Sequence, residues 1–462
     1  EMVPVEQFAD RGRTSHVLDA ASVQQCAPSE STLSNGAGGG RMADGQQPLR
    51  IALVHSADSG GGAEAAARLH HQELLRRGHA SRLLVARRQL GGPGIEQIEF
   101  VRGPKGILRT ARWLERQTGL QYLYAPGFRR VLTRLPDESD IVHLHSLHGA
   151  DGYADIGPIA ALSRRCPVVM TIHDLWPITG HCGYPLDCTR WQIGCGGCPD
   201  LQRYPSVPRD ATRLNWWRKR LAFRNARLQL IAPSQWVKEQ LRLSPILRDL
   251  PVEVIHEPVE IPKFRPGDRR AARARLDLPQ DRRIVLLTAQ SLTNVYKGVP
   301  DGVAALTQVD DPRLFVVAIG HDAEVVLDRC RAPGLAVKYQ SDQAALADYY
   351  RAADVFLMPS QCETFGMVAA ESMACGTPVA AFAAGGLADV LGNDEGGLLV
   401  PAGDVTALAA AVRRLLDDDV LRAALGRIGA DRAAREFSLE SHTQHCVSIY
   451  ERLIAERLAQ RN

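Results

Sequence analysis

Short apolar runs of strand length recur from residue 49 to residue 400, and helical stretches separate most of them. The first series is Leu49–His55, Ser81–Ala86, Ile141–His145, Pro167–Ile172, Leu228–Ala232 and Val252–His256. The second is Arg283–Leu287, Leu314–Ile319, Ala336–Tyr339, Val355–Met358, Pro378–Phe382 and Gly397–Val400. Strands that are apolar throughout and alternate with helices belong to parallel sheets covered on both faces. Two series therefore predict an α/β chain of two doubly wound domains, whose ligands bind beyond the carboxyl ends of the strands. Three prolines, Pro258, Pro262 and Pro266, interrupt the pattern between them. The expected domains are 49–260 and 261–437, with a helix from Ser438 onward returning to the first. Residues 1–48 contain Gly36-Ala-Gly-Gly-Gly40 and little periodicity; they read as a disordered arm, foreign to the protein if Met42 is its native start.

The chemistry concentrates in Cys362-Glu-Thr-Phe-Gly-Met-Val-Ala-Ala-Glu-Ser-Met-Ala-Cys-Gly-Thr-Pro378. Glu363 falls in the polar turn after a strand, and Glu371, eight residues on, falls inside the next helix. That helix opens on the same crevice with free N–H groups and a positive dipole end, which suits a phosphate. Two carboxylates beside an anion site fit a sugar nucleotide. The alternative is two solvated acids, one on a loop and one on a helix.

This segment resembles the E-x7-E motif of the retaining glycosyltransferases of family 4, and the likeness runs over most of residues 50–455. It implies the GT-B fold, two Rossmann-like domains facing across a cleft. It also implies that Glu363 faces the hydroxyls of the donor sugar, that Glu371 holds the ribose, and that the backbone of Phe365, Gly366 and Met367 lies against sugar and phosphates. Lys297-Gly298 matches the phosphate-neutralising lysine of the family. The arginine that usually precedes it is absent, and Gln290, Ser291 and Asn294 occupy its loop.

In the first domain Ser59-Gly-Gly-Gly-Ala-Glu64 follows the first strand. Its glycines let a backbone approach a ligand, or simply make a tight turn. The resemblance places Gly61 and Gly62 in the cleft beside the donor phosphates. His173-Asp174 ends another strand. Alone it reads as a core histidine; the resemblance sets it near the transferred sugar, with His173 and Glu363 as the catalytic candidates. His143, His145 and His148 form a second cluster, either a metal site or a polar cleft wall. Ser234 reads as a helix cap, and no role is drawn from Glu257-Pro-Val-Glu260.

Four of the ten cysteines, Cys182, Cys188, Cys195 and Cys198, lie within seventeen residues. Gly194-Cys-Gly-Gly-Cys resembles half of a zinc knuckle. A structural tetrathiolate zinc site, two disulfides and free buried thiols are the three readings, and the loop, with no apolar pattern of its own, is expected to need a crosslink. No catalytic cofactor is expected, and Asp417-Asp-Asp419 reads as a solvated turn rather than a donor-metal motif.

The net charge of +3 excludes a general polyanion binder, so no nucleic-acid partner is expected. No apolar run is long enough to span a bilayer, and no leader segment is seen, so the cytoplasm is the expected compartment. The basic, aromatic run Leu214-Asn-Trp-Trp-Arg-Lys-Arg-Leu-Ala-Phe-Arg224 reads either as an ordinary packed helix or as a peripheral contact with the inner membrane face. The expected activity is transfer of a sugar from a nucleotide diphosphate sugar to a hydroxyl acceptor, saccharide or lipid-linked saccharide, in bacterial polysaccharide or glycolipid synthesis. A sugar phosphorylase, a nucleotide-sugar epimerase or a non-catalytic nucleotide-sugar binder on the same fold are the alternatives.

Overall fold

The computed structural model describes residues 47–98, 105–149, 153–330, 332–392 and 394–460; the expected arm lies almost wholly outside them. Seven parallel strands form the first sheet: β1 (Arg50–Ala57), β2 (Ala80–Arg87), β3 (Ile95–Gln97), β4 (Ile141–Leu144), β5 (Val168–Thr171), β6 (Leu228–Ala232) and β7 (Val252–Val254). Their order is β3-β2-β1-β4-β5-β6-β7. Six more form the second: β8 (Arg283–Ser291), β9 (Leu314–His321), β10 (Gly334–Val337), β11 (Val355–Met358), β12 (Val379–Phe382) and β13 (Gly397–Val400). Their order is β10-β9-β8-β11-β12-β13. Each sheet winds outward in both directions from its first strand, so each has a crevice where the winding reverses, at β1/β4 and at β8/β11. The short strand β3 has no counterpart in the sequence reading, because three residues carry no alternation that separates a strand from a turn.

Pleating divides the first sheet between two cores. Ile51 and Leu53 of β1 pack with Leu83, Val85 and Val169 on one face, and Ala52 and Val54 with Val142, Leu144 and Met170 on the other. The helix Leu439–Ala459 closes the first of these faces with Cys446, Val447, Ile449 and Tyr450. The chain thus returns to its first sheet at its end. Ser438 caps that helix, its hydroxyl accepting from Ser441 N at 3.2 Å. The outgoing and returning crossings run side by side: Val259 N donates to Phe437 O (2.7 Å) and Leu439 N to Val259 O (3.2 Å). No helix of the described residues is long and apolar enough to cross a membrane.

Candidate active site

The second sheet supplies a crevice whose shape is set by glycines. Gly366 (φ +104°) starts the helix Met367–Ala374, and a β-carbon there would stand 2.5 Å from Leu387 Cδ2. Gly298 (φ +59°) ends the turn that carries Lys297, and a β-carbon there would meet Pro359 O at 1.9 Å. The loop after β8 can therefore lie flat on the loop after β11 only because that residue has no side chain. This close approach delivers Lys297 Nζ to Glu363 Oε1 at 2.7 Å, with Glu363 nearly buried. Glu363 is held from its other side, where its carbonyl accepts from Gly386 N at 2.8 Å. Glu371 accepts from the Tyr350 hydroxyl at 3.0 Å. Part of its residue surface stays open, but burial of the carboxylate pushes its pKa up to about 7, against a smaller opposing effect of Tyr350. The Phe365 ring is buried, stacked on His256 and edge-on to Phe437, so its backbone is what remains for a ligand.

The glycine loop of the first sheet lies against this crevice. Gly61 N donates to Glu64 Oε2 at 2.9 Å, capping the helix Gly62–Arg76. A methyl on Gly62 would stand 3.0 Å from Met367 Cγ, and one on Gly61 3.8 Å from Gln290 Oε1. The Tyr339 hydroxyl donates to Gly60 O at 3.2 Å, and Thr364 Oγ1 to His173 O at 2.7 Å. Gly61, Gly62, Gln290, Lys297, Glu363, Phe365, Gly366 and Met367 are thus brought to one cleft, with the two halves in contact across it.

The opposite wall is made of imidazoles. His55 lies in β1, His145 follows β4 and His173 follows β5, at neighbouring carboxyl ends. His143 and His145 stack at 4.2 Å, and His145 and His173 at 5.2 Å. His173 Nδ1 donates to Glu257 Oε1 at 2.7 Å, and its Nε2 lies 2.9 Å from His145 Nδ1. Both ring nitrogens of His173 are therefore engaged within the protein. Burial alone would lower the His173 pKa; the charge and hydrogen bond of Glu257 outweigh it and raise it. Burial would lift Glu257, and His173 holds it below the ordinary carboxylate value. Burial also depresses His143 and His145 well below the usual imidazole range, and His55 to about 4. His148 Nε2 bonds Asp174 Oδ2, and Asp174 Oδ1 accepts from Trp176 N at 2.8 Å. Three buried ring nitrogens remain without a partner: His55 Nε2, His145 Nε2 and His148 Nδ1. They, rather than His173, are the groups free to receive a hydroxyl. The wall is a hydrogen-bonded polar surface, and His143, His145 and His148 are not gathered as metal ligands.

The cysteine loop departs from expectation. Cys182, Cys188, Cys195 and Cys198 are free thiols, and no three of them bring their sulfurs within 4.8 Å of one another. Cys195 Sγ accepts from Gly180 N at 3.2 Å, and Cys198 Sγ lies 3.4 Å from His181 Nε2. As a set they fit neither a tetrathiolate zinc site nor two disulfides. The loop also has a core of its own: Trp176, Ile178 and Trp191 are buried, and Lys219 lies beneath them. Lys219 Nζ donates to Trp176 O (2.7 Å) and Thr179 O (3.0 Å) and sits 3.6 Å from the Trp176 ring centroid. The basic aromatic run is divided in the same way. Asn215, Trp216, Lys219 and Phe223 are buried, while Leu214, Trp217 and Leu221 are exposed. Asp418 caps the helix Asp419–Glu436, and Asp419 pairs with Arg283 and Arg422.

Glu257 and His55 are the site residues that sequence reasoning left without a role. Nothing local in Glu257-Pro-Val-Glu260 reveals a partner 84 residues away.

Comparison with known proteins agrees with this geometry. The family described as Glycosyl transferases group 1 matches residues 268–432, and Glycosyltransferase Family 4 matches residues 60–262. D-inositol 3-phosphate glycosyltransferase 1 of Catenulispora acidiphila is 31% identical over 343 residues, which is 70% of this chain and 74% of that protein. The D-inositol 3-phosphate glycosyltransferase of Thermobispora bispora is 35% identical over 214 residues, 43% of this chain and half of that protein. Among solved structures, sucrose-phosphate synthase from Thermosynechococcus elongatus superposes with a TM-score of 0.67 at 25% identity, covering 89% of this chain and all of that one. Anabaena Alr3699/HepE, solved in complex with UDP and glucose, gives 0.63 at 18% identity, over 87% of this chain and 99% of that one, and supports the fold alone. The architecture is GT-B.

Proposed function

The chain belongs to the family 4 glycosyltransferases, the premise from which we propose that it moves a hexosyl unit from a nucleotide diphosphate sugar to a hydroxyl acceptor with retention at the anomeric carbon. One observation carries the proposal. The loops after β1, β8 and β11, all at the switch points of the two sheets, converge so that Gly61–Gly62, Lys297–Glu363 and the start of the helix Met367–Ala374 border one cleft. In this reading Glu363 orients the sugar hydroxyls and Glu371 the ribose. Charge developing on the leaving diphosphate is met by helix N–H groups and by Lys297. No protein nucleophile is assigned; attack and departure share one face of the sugar. The unpartnered ring nitrogens of the opposite wall face the acceptor's part of the reaction, and a role in polysaccharide or glycolipid synthesis follows from a hydroxyl acceptor. Trp217, Leu221 and the arginines beside them would let the first domain rest on an anionic bilayer that presents a lipid-linked acceptor.

The test is incubation with UDP-, GDP- and ADP-hexoses, reading nucleotide release and the anomeric configuration of the product. Release from one donor, with the α- or β-configuration kept, is expected. No turnover of any donor, or an inverted product, overturns the reading.

A further inference from the structure

The electrostatics of the cleft leave one cation unaccounted for. Lys297 already stands in an ion pair with Glu363, so its charge is matched before any ligand arrives. The N-terminus of the helix Met367–Ala374 contributes only a partial positive charge. A diphosphate brings negative charge on both phosphoryl groups, and its binding calls for a further cation.

Arg68 fits that need. It lies on the helix Gly62–Arg76 that begins at the glycine loop, and it is half-buried. Its Nε is buried without a partner, and its guanidinium makes no hydrogen bond or ion pair among the described residues. A half-buried guanidinium left in this state is uncommon, because desolvation of its N–H groups is costly unless they are satisfied. Helical spacing puts Arg68 on the same face as Gly61, Glu64 and Ala65. Side chains on a helix lean toward its N-terminus, so a long arginine there reaches back over the first turn, toward the cleft. That turn is the part that touches Met367 and Gln290 and whose Gly60 carbonyl receives the Tyr339 hydroxyl. The charges of Glu371, Glu64 and Arg68 all bear on that hydroxyl, which puts Arg68 on the cleft side of its helix. Glu64 is its natural i+4 partner, yet that carboxylate is turned to Gly61 N and Ser56 Oγ instead.

We propose that Arg68, reaching from the first domain, binds the diphosphate of the donor in the second. The proposal rests on the donor reading above. It makes diphosphate recognition a property of both domains at once: a nucleotide lacking the second phosphoryl group would engage the second domain and leave Arg68 idle.

The test uses the full chain in calorimetric titrations with UDP, GDP and ADP, and with the matching monophosphate of whichever binds. Arg68→Gln should weaken the diphosphate on the order of tenfold, with the monophosphate changed less than about threefold. Arg68→Lys should recover part of the loss, since it restores charge without the planar fork. Arg116→Gln, on an exposed helix elsewhere, serves as the charge control. A merely structural Arg68 would lower both affinities together, and an idle solvated one would change neither; either result overturns the proposal. Absence of any nucleoside diphosphate binding in the wild type would instead sink the donor reading, and this proposal with it.

Discussion

The two walls of the cleft are built on opposite plans. The donor wall is local: Lys297, Glu363 and Glu371 come from two neighbouring strand–loop–helix units, and glycines bring their loops together. The imidazole wall is assembled from the ends of four strands, with Glu257 joined to His173 across 84 residues and Tyr450 to His143 across 307. The first wall holds a charge pair beside a place for an anion. In the second, burial keeps His55, His143 and His145 neutral, while Glu257 retains the proton of His173. A local motif can be tuned for a ligand with few consequences elsewhere, whereas the dispersed wall is also part of what holds the first domain together.

If that contrast is right, substitutions on the two walls should fail differently. The largest effect on activity is expected for Glu363→Ala. It removes the sugar-facing carboxylate and frees Lys297, so turnover should drop on the order of a hundredfold, with nucleotide affinity near wild type and little change in Tm. Equal loss of stability would show the donor wall to be structural too. Next, Glu257→Gln leaves His173 without its counter-ion and should cost roughly 3–5 kcal/mol in denaturant unfolding near pH 6. The pH window follows from the signs. The raised His173 pKa gives stability that is present below about 6.5 and lost as pH rises through its folded value. The lowered Glu257 pKa gives stability present above about 4.5 and lost as pH falls. The gap between variant and wild type should therefore be widest between these limits; a gap independent of pH would deny the pair its charge.

The walls also separate by pH alone. His55, His143 and His145 have depressed pKa values, so the unfolded chain binds more protons than the folded one below about 6.5. Each should remove up to about 1.4 kcal/mol per pH unit as pH falls toward its folded value. Glu371 acts in the opposite sense. Its raised pKa penalises the fold as pH climbs from about 4.5 to about 7, so Glu371→Gln should raise Tm at pH 8 and not at pH 4. Glu371→Ala should also weaken nucleotide binding, about tenfold or more. The smallest effect is expected from chelation: EDTA should move Tm by no more than about 1 °C, since no three sulfurs of the cysteine loop lie within 4.8 Å of one another. A shift of several degrees would return that loop to the metal-bound reading.

What the sequence disclosed follows the same division. The alternation of buried strands and helices gave both sheets, and the Glu363–Glu371 segment gave its own strand, turn and helix, because these depend on neighbours in the chain. Lys297 was legible as a residue of the loop after β8, but its pairing with Glu363 was not, since it depends on Gly298 meeting Pro359. His173 was legible as a site residue, but the engagement of both its nitrogens was not, because the partners arrive from β4 and from beyond β7. The core of the cysteine loop was not legible, because it comes from tryptophans and one buried lysine rather than from an apolar pattern.

The helix Leu439–Ala459 has a consequence for how the protein is made. His143 Nδ1 and His70 Nε2 lie 2.6 and 2.9 Å from the hydroxyl of Tyr450, inside the first domain. During synthesis at about 5–20 residues per second, Tyr450 follows His143 from the ribosome by roughly 15–60 s. For that interval the first sheet has one apolar face bare and two histidines without their shared partner. The nascent first half cannot finish folding by itself, and the second half must fold while tethered to it. A helix translated after the whole of the second sheet is the one that completes the domain made before it.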